Sequence, residues 1–487
     1  MSIIPSLLIT SLFISSLTCT SNPDHDHFNG AVFNVMSKFN GRKKAVLLSD
    51  LKAHDSIRHF HVLAVDIGLG GIGRPNAVGL YYAKIGIGTP PRDYYVQVDT
   101  GSDIMWINCA HCQTCLKKGY HGLDLTLYNP NESLTSARVT CDQKFCADIN
   151  RGTVGGCRPN VSCMFTEYYK DGSGSLGYFI RDVVQYDSVS GDLETKLANG
   201  SVIFGCGASQ SGNLLNSEDA LDGIIGFGKS NASVISQLAS YGKVKKMFAH
   251  CLDGENGGGI FAIGHVVQPK VNSTRLIQDQ SAYYSVNMTG IKVGTEFLNL
   301  TTDSYGKTKK AKTVIDSGTT LAYLPEVIYK PLVKKIVAGH SGMRLRLLQD
   351  QYTCFEYSGS VDDGFPAVTF YFENSLFLKV YPRDYLFPLD EFLCFGWQNN
   401  GRDSLSSEDR IILGDLVLSN KLVLYDLENQ TIGWTEYNCS SSIALKDEIT
   451  GVVHLVGSHM ISSACNLIIH KDIIFLLLIV LMNLTNL

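Results

Sequence analysis

Two acidic residues, one in each half of the chain, stand in the same local setting: Val98-Asp99-Thr100-Gly101-Ser102 and Ile315-Asp316-Ser317-Gly318-Thr319. Each Asp closes an apolar stretch and opens a turn carrying a glycine between two hydroxyl residues. Such a turn holds a carboxylate rigidly, with backbone amides and hydroxyls fixing its orientation. If the halves face each other, Asp99 and Asp316 share one site, where two like charges a few Å apart do not both ionise cheaply, so one proton is shared. The ionised carboxylate can then take a proton from a water held between the two, while the protonated one donates to a substrate carbonyl oxygen. An isolated Asp-Thr-Gly is usually a turn residue capping its own backbone. Duplication argues against that here, and it extends further: Asp222-Gly223-Ile224-Ile225-Gly226 and Arg410-Ile411-Ile412-Leu413-Gly414 each follow their motif by about a hundred residues.

The elements that must position these residues read as strands. Alternating runs such as Tyr81 to Ile87 and Tyr94 to Val98 flank a Gly88-Thr-Pro-Pro91 turn, and similar signals recur almost to Cys439. Helical periodicity is confined to about Ser233–Tyr241 and Pro325–Gly339. The chain's 46 glycines, 23 tyrosines and 22 phenylalanines, with only 18% charged residues, agree with a mostly β fold. At 487 residues and 45% hydrophobic content it can fill more than one core, so the internal echo implies two similar lobes. A net charge of -5 leaves no basic field for a nucleic-acid partner.

With both motifs and both apolar-apolar-Gly segments in order, the stretch from about Gly79 to Cys439 resembles the pepsin-family aspartic proteases. The Cys109-x-x-Cys112-x-x-Cys115 insert, Phe204-Gly-Cys206-Gly and the sequence through Cys251 are most similar to the cysteine-rich plant type, like nepenthesins and glycolipid-anchored relatives. The resemblance implies a bilobal pepsin-like fold, two similar six-stranded-type β lobes with a cleft between them, no cofactor or metal, protein or peptide substrates, and a monomer. It implies Asp99 and Asp316 as the catalytic pair, with Ser102 and Thr319 bonding the outer carboxylate oxygens, Gly101 and Gly318 beneath the water, and Thr100 and Ser317 completing the turns. Tyr169 falls at the position of the flap tyrosine, with Tyr168 as a rival, and Trp106 at that of its hydrogen-bonding tryptophan. Asp103 stands where many relatives have a small residue. The implied activity is that of a secretory-pathway endopeptidase with an acidic optimum; the alternative is a catalytically inactive pepsin-fold binding or inhibitor protein.

Twelve cysteines between the terminal segments, an even number, suit six disulfides, and spacing alone leaves their connectivity open. The resemblance implies Cys109–Cys112, Cys115–Cys206, Cys141–Cys163, Cys146–Cys157, Cys251–Cys439 and Cys354–Cys394. The Cys109-His111-Cys112-Cys115 spacing also suits zinc, but an oxidising compartment favours disulfides. Export is indicated by an uncharged, apolar residue 1–20 segment and by sequons at Asn131, Asn160, Asn199, Asn231, Asn272, Asn287, Asn299, Asn429 and Asn438. Residues 21–76, with five of the 13 histidines and no cysteine, read as a propeptide, and the glycine-rich run 68–73 as a flexible cleavage region. Residues 77–270 and 271–445 are then the two catalytic lobes, and 446–463 a linker. Residues 464–487 form a removed anchor signal, with the small triplet Ser462-Ser463-Ala464 ahead of the short apolar run Ile473–Met482 and Ser463 as the lipid attachment point. A membrane-proximal or buried terminal helix is the other reading of that tail.

Overall fold

Strands take up the alternating runs throughout the computed structural model, which describes residues 64–460 apart from 77–78, 120–123, 151–156, 217–219, 280, 301–310, 350, 402–409 and 448–449. The expected signal segment, most of the expected propeptide, the anchor signal and Ser463 lie outside the described residues.

Each half builds one arrangement around its motif. In the first, strand Arg92–Asp99 pairs antiparallel with Leu80–Ile87 and parallel with Gly223–Gly226, which brings Gly226 level with Asp99. In the second, Ala311–Ile315 pairs antiparallel with Tyr284–Val293 and parallel with Ile411–Leu413, with Leu413 level with Ile315. Parallel neighbours need a long crossover, which explains why each apolar-apolar-Gly segment trails its motif so far in sequence. Close approach dictates the glycines that end these strands: a Cβ on Gly414 would lie 2.1 Å from the Thr319 carbonyl oxygen, and one on Gly226 2.6 Å from the Asp103 carbonyl carbon. The expected helices are present as Val234–Ser240, capped by the Ser233 hydroxyl, and Glu326–Ile336.

Beneath both arrangements the halves share a sheet. Its order runs Asn272–Arg275, Thr431–Glu436, Lys421–Asp426, Met247–Leu252, Gly259–Ile263, Val65–Ile67 and then the 18-residue strand Gly174–Gly191. Met247–Leu252 is buried along its whole length, as expected of a strand covered on both faces. Phe227, Phe248 and Phe261 from the first half meet Tyr284 and Tyr425 from the second, with ring centroids 4.4 to 6.0 Å apart. Burying rings of this size contributes roughly 1.5–3 kcal/mol each, so this aromatic floor is a major tie between the lobes. The Cys251–Cys439 disulfide closes the same seam.

Three sequence expectations are corrected. Run 68–73 is not a flexible segment: Leu69–Ile72 is a strand paired with Leu80–Ala83, and Val65–Ile67 is buried between Gly259–Ile263 and the long strand. A boundary at residue 76 would therefore cut away two strands of the fold. The expected linker 446–463 likewise holds half of a hairpin, Ser442–Lys446 with Val453–Gly457, packed against His265–Gln268. His459 beyond it reaches Asp66 on the first strand at 2.7 Å.

The third correction concerns the cysteine-rich region. The implied pairs Cys109–Cys112, Cys115–Cys206, Cys141–Cys163 and Cys146–Cys157 are replaced by Cys109–Cys206, Cys112–Cys115, Cys141–Cys157 and Cys146–Cys163. Strand geometry is the reason. Trp106–Asn108 runs parallel to the segment carrying Cys206, and Cys109 directly continues it, so both sulfurs point into the core. Cys112 and Cys115 then close a surface turn. Cys146, on helix Lys144–Ile149, faces inward onto buried Cys163, leaving the half-buried Cys157 to Cys141. Cys251–Cys439 and Cys354–Cys394 are paired, the latter across directly opposed strand positions.

Candidate active site

Asp99 ends its strand and Asp316 follows directly on its own, so each carboxyl projects from a rigid strand end into the same cleft. Asp99 Oδ1 accepts a hydrogen bond from the Gly101 amide at 2.7 Å and Oδ2 one from the Ser102 hydroxyl at 2.5 Å. Asp316 repeats the pattern with the Gly318 amide at 2.9 Å and the Thr319 hydroxyl at 2.8 Å. The two turns interlock through the Ser317 amide, which donates to the Thr100 hydroxyl at 2.9 Å. A methyl group on Gly101 would sit 2.6 Å from both Asp316 carboxylate oxygens, and one on Gly318 would sit 2.0 Å from Asp99 Oδ1. Each glycine thus lets its turn press against the opposite carboxyl, which is how two acids come to share one small space.

Over this pair folds a hairpin, strand Met164–Tyr168 returning through Gly174. Its turn is set by Asp171, whose Oδ1 accepts from the Ser173 amide at 2.9 Å and hydroxyl at 2.6 Å, and by Gly172 at φ +81°. Tyr169 points inward, and its hydroxyl accepts from Trp106 Nε1 at 2.7 Å. Tyr168 is 79% exposed and points away. Hairpin alternation decides between the two tyrosines, since neighbours face opposite sides.

Comparison with known proteins adds to this geometry. The family models for the xylanase inhibitor N-terminal and C-terminal regions match residues 81–265 and 283–436. Aspartic proteinase 36 of Arabidopsis thaliana is 46% identical over 453 residues, covering 92% of each chain. Aspartic proteinase 39 of the same plant is 46% identical over 448 residues, again covering 92% of each. The chain belongs to the pepsin-like plant aspartic proteinase family. Aspartic proteinase nepenthesin-2 of Nepenthes gracilis is a more distant relative, 25% identical and covering 75% of this chain and 79% of its own. In fold the chain is similar to the crystal structure of edgp, with TM-score 0.61 at 19% identity, covering 78% of this chain and 96% of that one. It is also similar to basic 7S globulin from soybean, with TM-score 0.59 at 18% identity, covering 77% and 96%.

Around Asp99 and Asp316 the electrostatics are uneven. Burial first, and the charge of Asp316 second, raise the Asp99 pKa well above the carboxylate range, against the lowering effect of the Ser102 and Gly101 bonds. Asp415, next after Gly414, is 1% exposed, and its Oδ1 meets no hydrogen-bond partner among the described residues. Burial, then Asp316 and Asp99, raise its pKa strongly, so it is a neutral carboxyl below the pair. Glu167, on the flap strand, is half-buried and pushed up to about 7 by desolvation, then by the charge of Asp103.

Asp103 has a structural place of its own. Its Oδ1 accepts from the Ser230 amide at 2.9 Å, pinning the loop after the first apolar-apolar-Gly strand to the motif turn. Elsewhere in the shared core, the Tyr425 hydroxyl and His250 Nε2 are hydrogen-bonded at 2.9 Å. His250 is fully enclosed, and burial pushes it down to about 3, so it stays neutral in mild acid.

Sequence reasoning missed Asp415, Glu167, Tyr425 and His250. Asp415 carried a signal, because it directly follows the second apolar-apolar-Gly segment. Tyr425 and His250 carried none: they lie on different strands and meet only through the register that sets His250 opposite Val423.

Proposed function

We propose that this chain is an active aspartic endopeptidase that hydrolyses peptide bonds in acid. The observation that carries the reading is the reciprocal packing of each turn glycine on the opposite carboxyl, with both acids hydrogen-bonded alike. A water held between the two gives a proton to the ionised carboxylate as its oxygen attacks the carbonyl carbon. The protonated partner donates to the carbonyl oxygen, forming a neutral tetrahedral diol. Collapse of the diol returns one proton to the dyad and passes one to the leaving amine, so the C–N bond breaks and the dyad regains its single shared proton. Burial and the mutual charge of the pair raise the Asp99 pKa, so one proton stays on the pair in acid. Activity is expected to fall as pH rises and the dyad loses that proton.

Hydrolysis of a denatured protein mixture by the purified chain across an acid-to-neutral pH series tests this, with Asp99→Asn as control. Cleavage that survives in Asp99→Asn, or no cleavage by the parent at any pH, would refute it. The second reading, a pepsin-fold binding protein without activity, draws on the xylanase-inhibitor description of the matching family models. The intact pair and flap weigh against it.

The same reading places the enzyme on the secretory route, of the cysteine-rich nepenthesin type, held at the outer face of the plasma membrane by a glycolipid at Ser463. Six disulfides and exposed sequons support export. Eight of the nine sequon asparagines are exposed; Asn287 is half-buried, with its amide donating to Glu373 at 2.9 Å. Occupancy at Asn287 is therefore expected to be the lowest of the nine in glycopeptide mass spectrometry. Phospholipase release of active protein from intact cells tests the anchor, and retention of the Ile473–Met482 peptide in mature protein would exclude it.

A further inference from the structure

Outside the catalytic cleft, where the two halves meet, lies a surface pocket of about 540 Å³. The first half lines it with the turn at 253–256, which follows strand Met247–Leu252. The second half adds the turn at 381–384, the start of strand Lys421–Asp426 and residues 436–440 at the end of strand Thr431–Glu436. Hydrogen bonds knit this rim across the halves. The Ser440 hydroxyl donates to Asp253 Oδ2, Asn256 Nδ2 to the Ser440 hydroxyl at 3.4 Å, and the Gly254 amide to Asn420 Oδ1 at 3.4 Å. The Cys251–Cys439 disulfide fixes the same edge.

The charges in the pocket tell against an ionic ligand. Apart from exposed Glu255, its ionic groups already have partners in the protein. Lys421, 2% exposed, lies 3.6 Å from Asp384 and donates to the Ser419 carbonyl at 3.0 Å. Arg383 pairs with Asp362 at 2.8 Å, and the Tyr381 hydroxyl donates to Glu436 at 3.3 Å. Asp253 Oδ1 accepts from the Glu255 and Asn256 amides at 2.9 and 2.8 Å. An ionic ligand would have to displace these bonds, and an apolar one would cut the polar rim off from water without replacing it. A neutral, hydroxyl-rich ligand does neither: it takes the spare lone pairs and N–H groups of the rim and lays an apolar face on the Tyr437 ring.

The sequence itself puts such a ligand at the rim. Asn438-Cys439-Ser440 is a sequon, and Asn438 is exposed and lines the pocket. Its Oδ1 accepts from the Ser440 amide at 3.1 Å, and this turn leaves Nδ2, the atom that carries a sugar, unused. We propose that an N-linked glycan on Asn438 folds back into the pocket, its innermost N-acetylglucosamine rings touching both the 253–256 and the 381–384 turns, so that the sugar straps the two halves together. Attachment forms a bond from Asn438 Nδ2 to C1 of the first ring. It breaks the C1–O bond to a lipid-linked diphosphate donor, which departs as the diphosphate while the amide nitrogen releases one proton. The pocket's volume is in the range that encloses a small ligand. This rests on the secretory reading above.

The test uses the full chain secreted from plant cells, treated in its folded state with peptide-N-glycosidase A and followed by glycopeptide mass spectrometry. Release at Asn438 is expected to be about ten-fold slower than at the other exposed sequons, because the linkage is reached only when the pocket opens locally. After unfolding, all sites should be released alike. Arg383→Ala, which thins one wall and leaves the sequon intact, should bring the folded-state rate at Asn438 towards that of the other sites. Ser440→Thr, which keeps the sequon, should retain both the sugar and its slow release. Asn438→Gln should melt about 2–4 °C below the parent. When both are made with glycosylation blocked, the two should melt alike. Equal folded-state release at Asn438 and the other exposed sites, slow release that Arg383→Ala leaves unchanged, or a bare Asn438 in a chain glycosylated elsewhere would overturn the strap. An undiminished melting temperature in glycosylated Asn438→Gln would overturn it too. If no sequon carries sugar, the secretory reading falls and takes this one with it.

Discussion

Asp99 and Asp316 receive the same two hydrogen bonds from residues at the same offsets, each beside a parallel apolar strand. What surrounds them is not duplicated. The first turn has a flap above it, Trp106 and Tyr169 joined at 2.7 Å, and Asp103 stapling the following loop. The second has the neutral Asp415 below it. A repeated turn can place two carboxyls symmetrically, whereas a different electrostatic setting for each requires asymmetry, and the unrepeated shell supplies it.

The largest expected effect breaks the symmetric part. Asp99→Asn and Asp316→Asn should each lower kcat/KM by about 10⁴-fold or more, since either one removes the acid–base pair as a unit. The same substitution should reveal a cost to folding. A carboxyl whose pKa is raised in the folded state binds its proton more tightly there than when unfolded, so stability falls as pH climbs from the unfolded value through the folded one. Asp99→Asn is therefore expected to melt at a higher temperature than the parent at neutral pH, and at nearly the same temperature near pH 3. An equal difference at both pH values would contradict the assignment of the raised pKa to Asp99.

Smaller effects sharpen the comparison. Tyr169→Phe and Trp106→Phe should each reduce kcat/KM about five- to ten-fold, the range of one lost hydrogen bond, and the double variant should cost little more than either alone. Full additivity would show that the pair does not act through its shared bond. Asp415→Asn should leave the rate within about two-fold across the acid range, because an amide replaces a carboxyl that burial already keeps neutral. A large shift of the pH profile in that variant would show Asp415 to be ionised.

The smallest expected effect lies far from the cleft, at the His459–Asp66 contact between the last hairpin and the first strand. Its hydrogen bond to Asp66 raises the His459 pKa, so the contribution is fully present below the unfolded value of about 6.5 and is lost as pH rises through the folded one. With the His459 side chain 38% exposed, solvent screening limits the effect to about half a kcal/mol. Denaturant midpoints for His459→Ala should differ from the parent near pH 5 and converge by about pH 8.5.

Much of this site was legible in the chain because its key residues are local motifs. Asp-Thr-Gly-Ser and Asp-Ser-Gly-Thr bring carboxyl, amide and hydroxyl together within four residues, and the two helices show their own periodicity. The cysteine pairing was not legible. Cys109, Cys112 and Cys115 are three residues apart, and loop-closure cost barely distinguishes their long-range partners. Only the parallel register beside Cys206 selects Cys109. The hairpin at 442–457 was also missed. Ile443, Ala444 and Leu445 are buried, but an apolar run of three residues is too short to announce a strand, and its pairing with His265–Gln268 depends on residues far away in sequence.

By itself, then, the sequence determined the β class, the twofold repeat and the two acids, because each is written in spacings shorter than a strand and its turn. Tertiary structure alone decided that Gly101 touches Asp316 and Gly318 touches Asp99, and that Asp415 lies uncharged beneath them. The physical reason is distance along the chain. Burial and contact between residues hundreds of positions apart arise only once the two halves share a sheet, and charge state and pKa follow from that burial.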